Sequence, residues 1–238
     1  MFILIKVLED SNRIQRAIFG DYRGHIGSYA IITAQNPMGI SISPDENNKR
    51  NKLFTEQLRN LNIREYDMIT GFYGGKENSF VLYNLSYHDA EWLAATFMQQ
   101  SFFWGKTADL SGYDSVNADT PKTVVTYYEC NIDSNTDGIL DVYKRIDPNK
   151  NMAYINKHGG YKKIESHIGA ELVGNAIDFY SSKSDLKFKI SMQYFESCEL
   201  DQPCVVDLYA LNESLNDAYT AQKRAKMRAL AYNGKRQS

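Results

Sequence analysis

The stretch "SYAIITAQNPMGISISPDENN", residues 28–48, joins an apolar run to a dense group of polar side chains. Its first part, "YAIITA", is rich in isoleucine and ends at the Asn-Pro turn of residues 36–37, which predicts a strand buried on both faces. Polar residues then crowd into a short turn and the beginning of a helix: Thr33, Gln35, Asn36, Ser43, Asp45, Glu46, Asn47 and Asn48. This group is explained either by a binding site or by the capping of the following helix.

The capping explanation rests on "SPDE", residues 43–46. Ser43 stands at the N-cap, Pro44 at the first helical position, and Glu46 three residues after the cap, where its side chain can bond to the amide of Ser43. This capping box predicts a helix over residues 44–60. The binding explanation rests on the same N-terminus, because helix amides beside a strand end often bind anionic ligands in open α/β sheets.

The rest of the first half alternates helix and strand signals. Residues 3–19 have an apolar helical face that stops at Gly20, and "YDMITGFYGG" and "NSFVLYN" predict two strands joined by a Gly-Gly loop. Ser86 with Asp89 caps a helix containing "AEWLAATFMQQ", and "SFFWG" predicts a further strand. This order predicts an α+β fold over residues 1–106, an α/β layer sandwich with a mixed sheet.

Residues 107–121, "TADLSGYDSVNADTP", have loop composition and are the predicted linker. Beyond them, "TVVTYYECNI" and "GILDVYKRI" alternate as a hairpin does, "AELVGNAIDFYS" has a helical pattern, and "LKFKISMQYF" alternates as a strand. The final segment "ESLNDAYTAQKRAKMRALAY" predicts a basic helix. Residues 122–238 are therefore either a β-rich extension of the first half or a small domain of their own, ending in this helix.

Composition limits the classes of function. Apolar residues make up 43% of the chain and aromatic residues 13%, which is enough for a buried core. The formal charge of -2 gives no general attraction to nucleic acid or to an anionic membrane. The sequence lacks an apolar stretch of about 20 residues and a signal-peptide pattern, so we expect a cytoplasmic protein with no membrane partner. Cys198 and Cys204 could pair, but free thiols are favoured in that compartment.

Four ordered motifs resemble a bacterial and phage family that is catalogued as a domain of unknown function. They are "AIITAQNP", "ENN", "KENSFVLYN" and "QQSFFWG", and with the helix "SNRIQRAIFG" the likeness covers about residues 10–105. The family has no established activity. The resemblance implies a set of positions at which polar groups are kept: Thr33, Asn36, Asn47, Glu77, Ser79 and Gln100. If the chain is phage-encoded, its expected location becomes the host cytoplasm or the virion.

These polar positions predict one cleft. Glu77 begins a strand after the Gly-Gly loop and Gln100 precedes another, so their side chains meet near Asn36 if the strands are neighbours. Amides, hydroxyls and one carboxylate suit recognition of a small polar or nucleotide-like ligand. Catalysis stays undecided. Glu77 lacks an obvious capping role, and His25 and His88 could each approach the cleft or be surface or capping residues, but no catalytic motif is present.

A different class of function is equally compatible with these motifs. The protein is then a non-enzymatic interaction protein, such as a phage structural or host-takeover factor. Its polar motifs are architectural, and its C-terminal half makes the contacts with the partner. A ligand-binding protein requires the side chains to converge on a pocket. An architectural role requires them to be consumed in hydrogen bonds to the backbone.

The segment "DSNTDGILD" carries part of a calcium-loop pattern. The oxygen-bearing positions of such a loop are filled by Asp133, Asn135, Asp137 and Asp141. The twelfth position, which is normally a bidentate Glu, is Lys144, and this cation should weaken binding severely. An Asp-Gly hairpin turn explains the same residues, so Ca²⁺ is one of two interpretations.

The C-terminal segment is the one place where the sequence allows nucleic acid. It concentrates cations in a predicted helix: Lys223, Arg224, Lys226 and Arg228. A solvated helix, an acidic protein partner and nucleic acid are the alternatives.

Overall fold

The computed structural model describes residues 13–72, 76–114, 119–121, 123–130, 132, 145–163, 176–181 and 186–191, all within one compact unit, Met1–Val206. The Asp-rich segment with Asp133, Asn135, Asp137 and Asp141 lies outside the described residues. So do Cys198, Cys204 and the basic C-terminal helix. The helix predicted over residues 3–19 is described from Arg13 onward.

Four helices and eight strands occur in the described residues. The helices are α1 (Arg13–Phe19), α2 (Pro44–Asn60), α3 (Tyr87–Thr96) and α4 (Pro148–Lys157). The strands are β1 (Ser28–Thr33), β2 (Tyr66–Phe72), β3 (Lys76–Tyr83), β4 (Ser101–Lys106), β5 (Val124–Glu129), β6 (Lys162–Lys163), β7 (Ala176–Ser181) and β8 (Leu186–Ser191). The predicted α+β class is confirmed.

The strands form one sheet in the order β6-β5-β4-β1-β3-β2-β7-β8. All pairings between these strands are antiparallel, so the prediction of a mixed sheet is wrong. The reason is that strands which run parallel to each other are not neighbours in the sheet. The chain runs from β1 through α2 to a parallel β2 and from β3 through α3 to a parallel β4, but another strand lies between the members of each pair.

One face of the sheet carries the larger part of the core. Phe54 of α2 stacks on Phe80 of β3 with ring centroids 4.6 Å apart, and Leu93 of α3 and Ile155 of α4 belong to the same buried cluster. The apolar side chains of β1 that face these helices are Ala30 and Ile32. Burial of this apolar area, at about 25 cal/mol per Å², is the main stabilising contribution.

The opposite face of the sheet is buried in part under α1. Tyr29 and Ile31 of β1 are buried on this side. Arg13 of α1 donates to Asp67 of β2 at 3.3 Å, and Thr107 Oγ1 donates to Ala17 O at 3.0 Å. The predicted burial of β1 on both faces is therefore confirmed.

The second half of the chain contributes strands to the same sheet. β5 pairs with β4 along six residue pairs, and β7 pairs with β2. Residues 176–181 form β7, so the helical interpretation of "AELVGNAIDFYS" is wrong for that part. Its side chains alternate too little for sequence periodicity to reveal a strand, and pairing with the exposed edge of β2 decides the structure.

Helix α4 was not predicted from the sequence. Its N-terminal signal was present, because Asp147 caps the helix by accepting from Lys150 N at 3.1 Å and Pro148 stands in its first turn. Inside the helix, Asn151 is fully buried and donates to Thr96 O at 2.8 Å. A buried polar residue interrupts the apolar stripe from which helices are recognised.

Candidate functional site

Polar side chains collect at one end of the sheet, which we call the polar end: the end where β1 and β5 finish and β3 and β4 begin. The antiparallel register sets this arrangement, since Thr33 pairs with Ser79 and Ser101 pairs with Glu129. Residues that precede or follow these strands therefore lie at the same end. The polar end holds all six of the positions implied by the family resemblance.

The centre of the polar end is a hydrogen-bonded trio that we call the Asn36–Glu77 site: Asn36, Asn47 and Glu77. Asn36 Nδ2 donates to Glu77 Oε1 at 2.7 Å. Asn47 Nδ2 donates to Asn36 Oδ1 at 3.0 Å, and Asn47 Oδ1 accepts from the backbone amide of Asn36 at 3.0 Å. The turn after β1, the first turn of α2 and the beginning of β3 are thus joined through side chains.

The backbone beneath this site is held in an uncommon conformation. Asn36 has φ 44° and Met38 has φ 53°, both in the left-handed region, which costs little for Asn and more for Met. The amide of Met38 donates to Met98 O at 2.8 Å, and Met98 is also left-handed, with φ 51°. Non-glycine residues in this region need support from the surrounding structure and cluster at functional sites.

Other predicted polar residues are bonded to the backbone. Thr33 Oγ1 donates to Asn78 O at 2.9 Å and accepts from Gln35 N at 3.0 Å. The Gln35 side chain accepts from Asn78 N at 2.9 Å. These contacts fix the exit of β1 against the entry of β3, so the side chains of Thr33 and Gln35 are used in hydrogen bonds to the backbone. Ser79 is 6% exposed and pairs with Thr33 in the register of β1 and β3.

The capping box forms as predicted. Ser43 Oγ accepts from Glu46 N at 3.3 Å, and Ser43 N donates to Glu46 Oε2 at 3.1 Å. Helix α2 begins at Pro44 and ends at Asn60, the predicted bounds. Of the helix amides on which the binding explanation rests, that of Glu46 is bonded by the cap, and the Glu46 carboxylate already supplies negative charge there.

Gln100 does not contact the Asn36–Glu77 site directly. Its Nε2 donates to Glu129 Oε1 at 3.2 Å, and its Oε1 lies 3.1 Å from where a side-chain carbon would stand on Gly39. Gly39 has φ +70°, so both backbone conformation and space favour glycine there. The sequence interpretation missed Glu129, because its place at the polar end depends on the pairing of β5 with β4.

Both carboxylates of the polar end are half-buried, and burial raises the pKa of each. For Glu77 the hydrogen bond from Asn36 opposes this rise in pKa. For Glu129 burial alone raises the pKa. Among the described residues, Asn36 is the only donor to the Glu77 carboxylate, and it bonds to one of the two oxygens. The second oxygen can accept from a bound molecule.

Arg50 of α2 is a second polar residue that sequence reasoning missed. It is 6% exposed, and its guanidinium donates to Ala34 O at 2.6 Å and to Phe97 O. Burial lowers its pKa to about 10. Arg50 joins the exit of β1 to the end of α3 from inside the core, so it supports the polar end and does not face it.

The two histidines considered for the polar end lie elsewhere. His25 precedes β1, and its backbone amide donates to Asp21 at 2.8 Å. His88 is in the first turn of α3, whereas the last turn of that helix leads to the polar end. Both positions are at the other end of the sheet, so the expectation that either could approach the cleft is wrong.

The described residues were also compared with the ligand sets of metal sites and with the length of a membrane-spanning helix. In the part of the chain that the structure describes, no group of three or more His, Cys, Asp or Glu side chains could hold a metal ion. Within that part there is also no helix with the length and apolarity needed to cross a membrane.

The fold and the polar end together define an α+β protein with an interleaved antiparallel sheet and two half-buried carboxylates at one sheet end. Residues 32–101 match the model of a family described as "Protein of unknown function (DUF3293)". The resemblance to a family of unknown function is thus confirmed over those residues, which include all six implied positions but not α1. No curated protein and no solved structure matches the chain.

Proposed function

We propose that the protein binds a small polar ligand at the polar end, with Glu77 as the residue that contacts it. Asn36 and Asn47 position Glu77 in this proposal and do not themselves need to reach the ligand. Nucleotide-like molecules belong to the proposed ligand class. A place for such a ligand is supported by the backbone strain at Asn36 and Met38, since strained residues are common in binding sites.

The observation that carries the proposal is the half-buried Glu77 carboxylate. An architectural residue at this position needs only to accept one hydrogen bond from Asn36, and a glutamine would accept it without charge. Burying a carboxylate costs free energy unless it is fully paired. Glu77 has this desolvation cost although a glutamine would make the same hydrogen bond to Asn36. The charge therefore favours a role in binding a ligand.

A ligand screen by thermal melting tests the proposal, because a ligand specific to the native state raises the melting temperature. Three proteins are compared: the wild type, Glu77→Gln and Glu129→Gln. Glu129 is the matched control, since it is also half-buried and bonded by one carboxamide, that of Gln100. We expect at least one small polar compound to raise the melting temperature of the wild type and of Glu129→Gln, with a much smaller rise for Glu77→Gln.

Two results would contradict ligand binding through Glu77. One is a screen in which every shift is the same for the wild type and Glu77→Gln. The other is a Glu77→Gln variant as unstable as a core truncation, which costs about 2–5 kcal/mol. In the second case Glu77 is architectural.

An interaction protein with architectural polar motifs is the second candidate function. The observation that favours it is that Thr33 and Gln35 use their side chains to bond the backbone of Asn78. This candidate expects no small ligand whose effect depends on Glu77. The same screen therefore separates the two candidates.

A further inference from the structure

We propose that the ligand of the Asn36–Glu77 site presents a cationic N–H donor to Glu77, as a primary amine or a guanidinium does. This inference rests on the proposed function and names the chemistry of its ligand. It is derived from the direction of the hydrogen bonds around Asn36, from the cap of α2 and from the placement of nearby cations.

The directions of the carboxamides at this site are set by backbone amides. Asn36 Oδ1 accepts from Ile42 N at 3.4 Å, so Asn36 Nδ2 must point toward Glu77. Asn47 Oδ1 accepts from Asn36 N, so Asn47 Nδ2 must point toward Asn36. A backbone amide only donates, and each carboxamide can therefore be oriented without ambiguity. The orientation of Asn36 directs its Nδ2 donor at Glu77, and Asn47 holds Asn36 in that orientation by donating to Asn36 Oδ1. The Glu77 carboxylate is therefore an acceptor.

The helix N-terminus beside the site does not offer a place for an anion. The backbone amide and the hydroxyl of Ser43 both donate to Glu46 Oε2, at 3.1 and 2.8 Å. Asp45 adds a second negative charge to the same first turn. An anionic ligand would meet these carboxylates together with Glu77, and the like charges would disfavour it.

The described cations near the site do not neutralise Glu77. Arg50 turns its guanidinium to the carbonyls of Ala34 and Phe97 in the core. Lys76 precedes Glu77 in β3, and successive side chains of a strand point to opposite faces. Among the described residues no ion pair involves Glu77, so a cationic ligand would supply the missing partner.

Glu129 is the second half-buried carboxylate at the same end of the sheet. Lys162 of β6 stands directly opposite Glu129 in the antiparallel register, on the same face as its partner. Despite this register, neither Glu129 nor Glu77 forms an ion pair with a described residue, and each accepts one hydrogen bond from a carboxamide. This similarity makes Glu129→Gln the control for non-specific attraction of cations to the polar end.

The experiment uses agmatine, which carries an amine and a guanidinium, and inorganic phosphate as probes at constant ionic strength. Binding to the full chain is measured by titration with thermal melting and by chemical-shift changes. We expect agmatine to bind saturably to the wild type and Glu129→Gln and about tenfold more weakly to Glu77→Gln. Glu77→Asp keeps the charge one methylene further back, so it should bind with intermediate strength and serves if Glu77→Gln folds poorly.

Each other outcome would contradict the cationic ligand, the proposed function or both. If phosphate or a neutral compound from the screen binds in a Glu77-dependent way and agmatine does not, the cation inference is wrong and the proposed function stands. If agmatine binds equally to the wild type and Glu77→Gln, its attraction is non-specific and the inference is wrong. If no compound shows a Glu77-dependent effect, both the inference and the proposed function are wrong.

Discussion

Glu77 is the residue on which the proposed function depends. Its carboxylate is half-buried, accepts from Asn36 and lies at the end of a strand whose other polar neighbours bond to backbone groups. A residue that only shaped the fold would lose less free energy to desolvation as an amide. The charge therefore distinguishes Glu77 from Thr33 and Gln35.

Replacing Glu77 by Gln should flatten the pH dependence of stability. Burial raises the pKa of Glu77, so the folded state holds this proton more tightly than the unfolded chain. The free energy of unfolding of the wild type should then fall as the pH rises above the ordinary value of 4.5. Urea midpoints between about pH 4 and about pH 8 measure the effect.

Glu129→Gln is the control for that series, because burial raises the pKa of Glu129 in the same direction. Each variant should remove part of the decline in stability with rising pH. A wild-type stability that increases over this range, with the increase lost in Glu77→Gln, would show that the pKa of Glu77 is lowered in the folded protein.

Changing Asn47 to Asp should act on Glu77 through Asn36. One oxygen of the new carboxylate would still accept from the backbone amide of Asn36. The other oxygen would replace the Asn47 Nδ2 donor and would face Asn36 Oδ1, so that two acceptors repel each other. The Asn36 carboxamide then turns its oxygen toward Glu77, which can bond to it only when protonated. The pKa of Glu77 should rise further, and the variant should lose more stability at about pH 7 than at about pH 5.

Asn47→Ala provides the comparison for the Asn47→Asp variant. It removes the same donor without adding an oxygen, so its loss of stability should depend little on pH. Equal pH dependence in the two variants would contradict the orientation argument.

At the level of the element, α2 is defined by its cap. Ser43 and Glu46 bond reciprocally, Pro44 begins the helix, and the helix buries Phe54 and Leu58 against the sheet. Local chemistry sets where the helix starts, and tertiary packing stabilises it.

Ser43→Ala should lower the free energy of unfolding by about 1 kcal/mol, because the Glu46 amide loses its acceptor. Ligand binding should be unchanged once the proteins are compared well below their melting temperatures. Denaturant midpoints measure the loss, with Ser41→Ala, an exposed serine before the cap, as the control. Equal midpoints for the two variants would contradict the capping role of Ser43.

At the level of the whole molecule, the sheet joins both halves of the chain. β4 has β1 on one side and β5 on the other, and Val125 and Tyr128 of β5 are buried. Ile155 of α4 lies in the same core cluster as the helices of the first half. Residues beyond the predicted linker therefore complete the core that the first half begins.

A fragment of residues 1–121 should not fold cooperatively. It lacks β5 and α4, so it exposes the apolar edge of β4 and part of the main core, which favours aggregation. Heteronuclear NMR dispersion and a thermal melt of the fragment measure this, with the full chain as the control. A dispersed spectrum with a cooperative melt would instead support the linker at residues 107–121 as a domain boundary.

The elements that the sequence predicted best are those with strong local signals. The box of Ser43 and Glu46 gave both the start of α2 and the role of its cap, and the alternation in "LKFKIS" gave β8. Helix α4 was not predicted, because its buried Asn151 interrupts the apolar stripe. Strand β7 was not predicted, because pairing with β2 outweighs a local helical pattern.

The sequence by itself determined the α+β class, the capped helix and the expectation that Asn36 and Glu77 meet at strand ends. Only the tertiary structure decided that Gln100 bonds to Glu129, that Arg50 lies inside the core and that β3 separates two parallel strands. The physical reason is the separation along the sequence of the residues that interact. Caps and periodicity act within a few residues, whereas these contacts join residues 16 to 47 positions apart and depend on strand order, which no local pattern encodes.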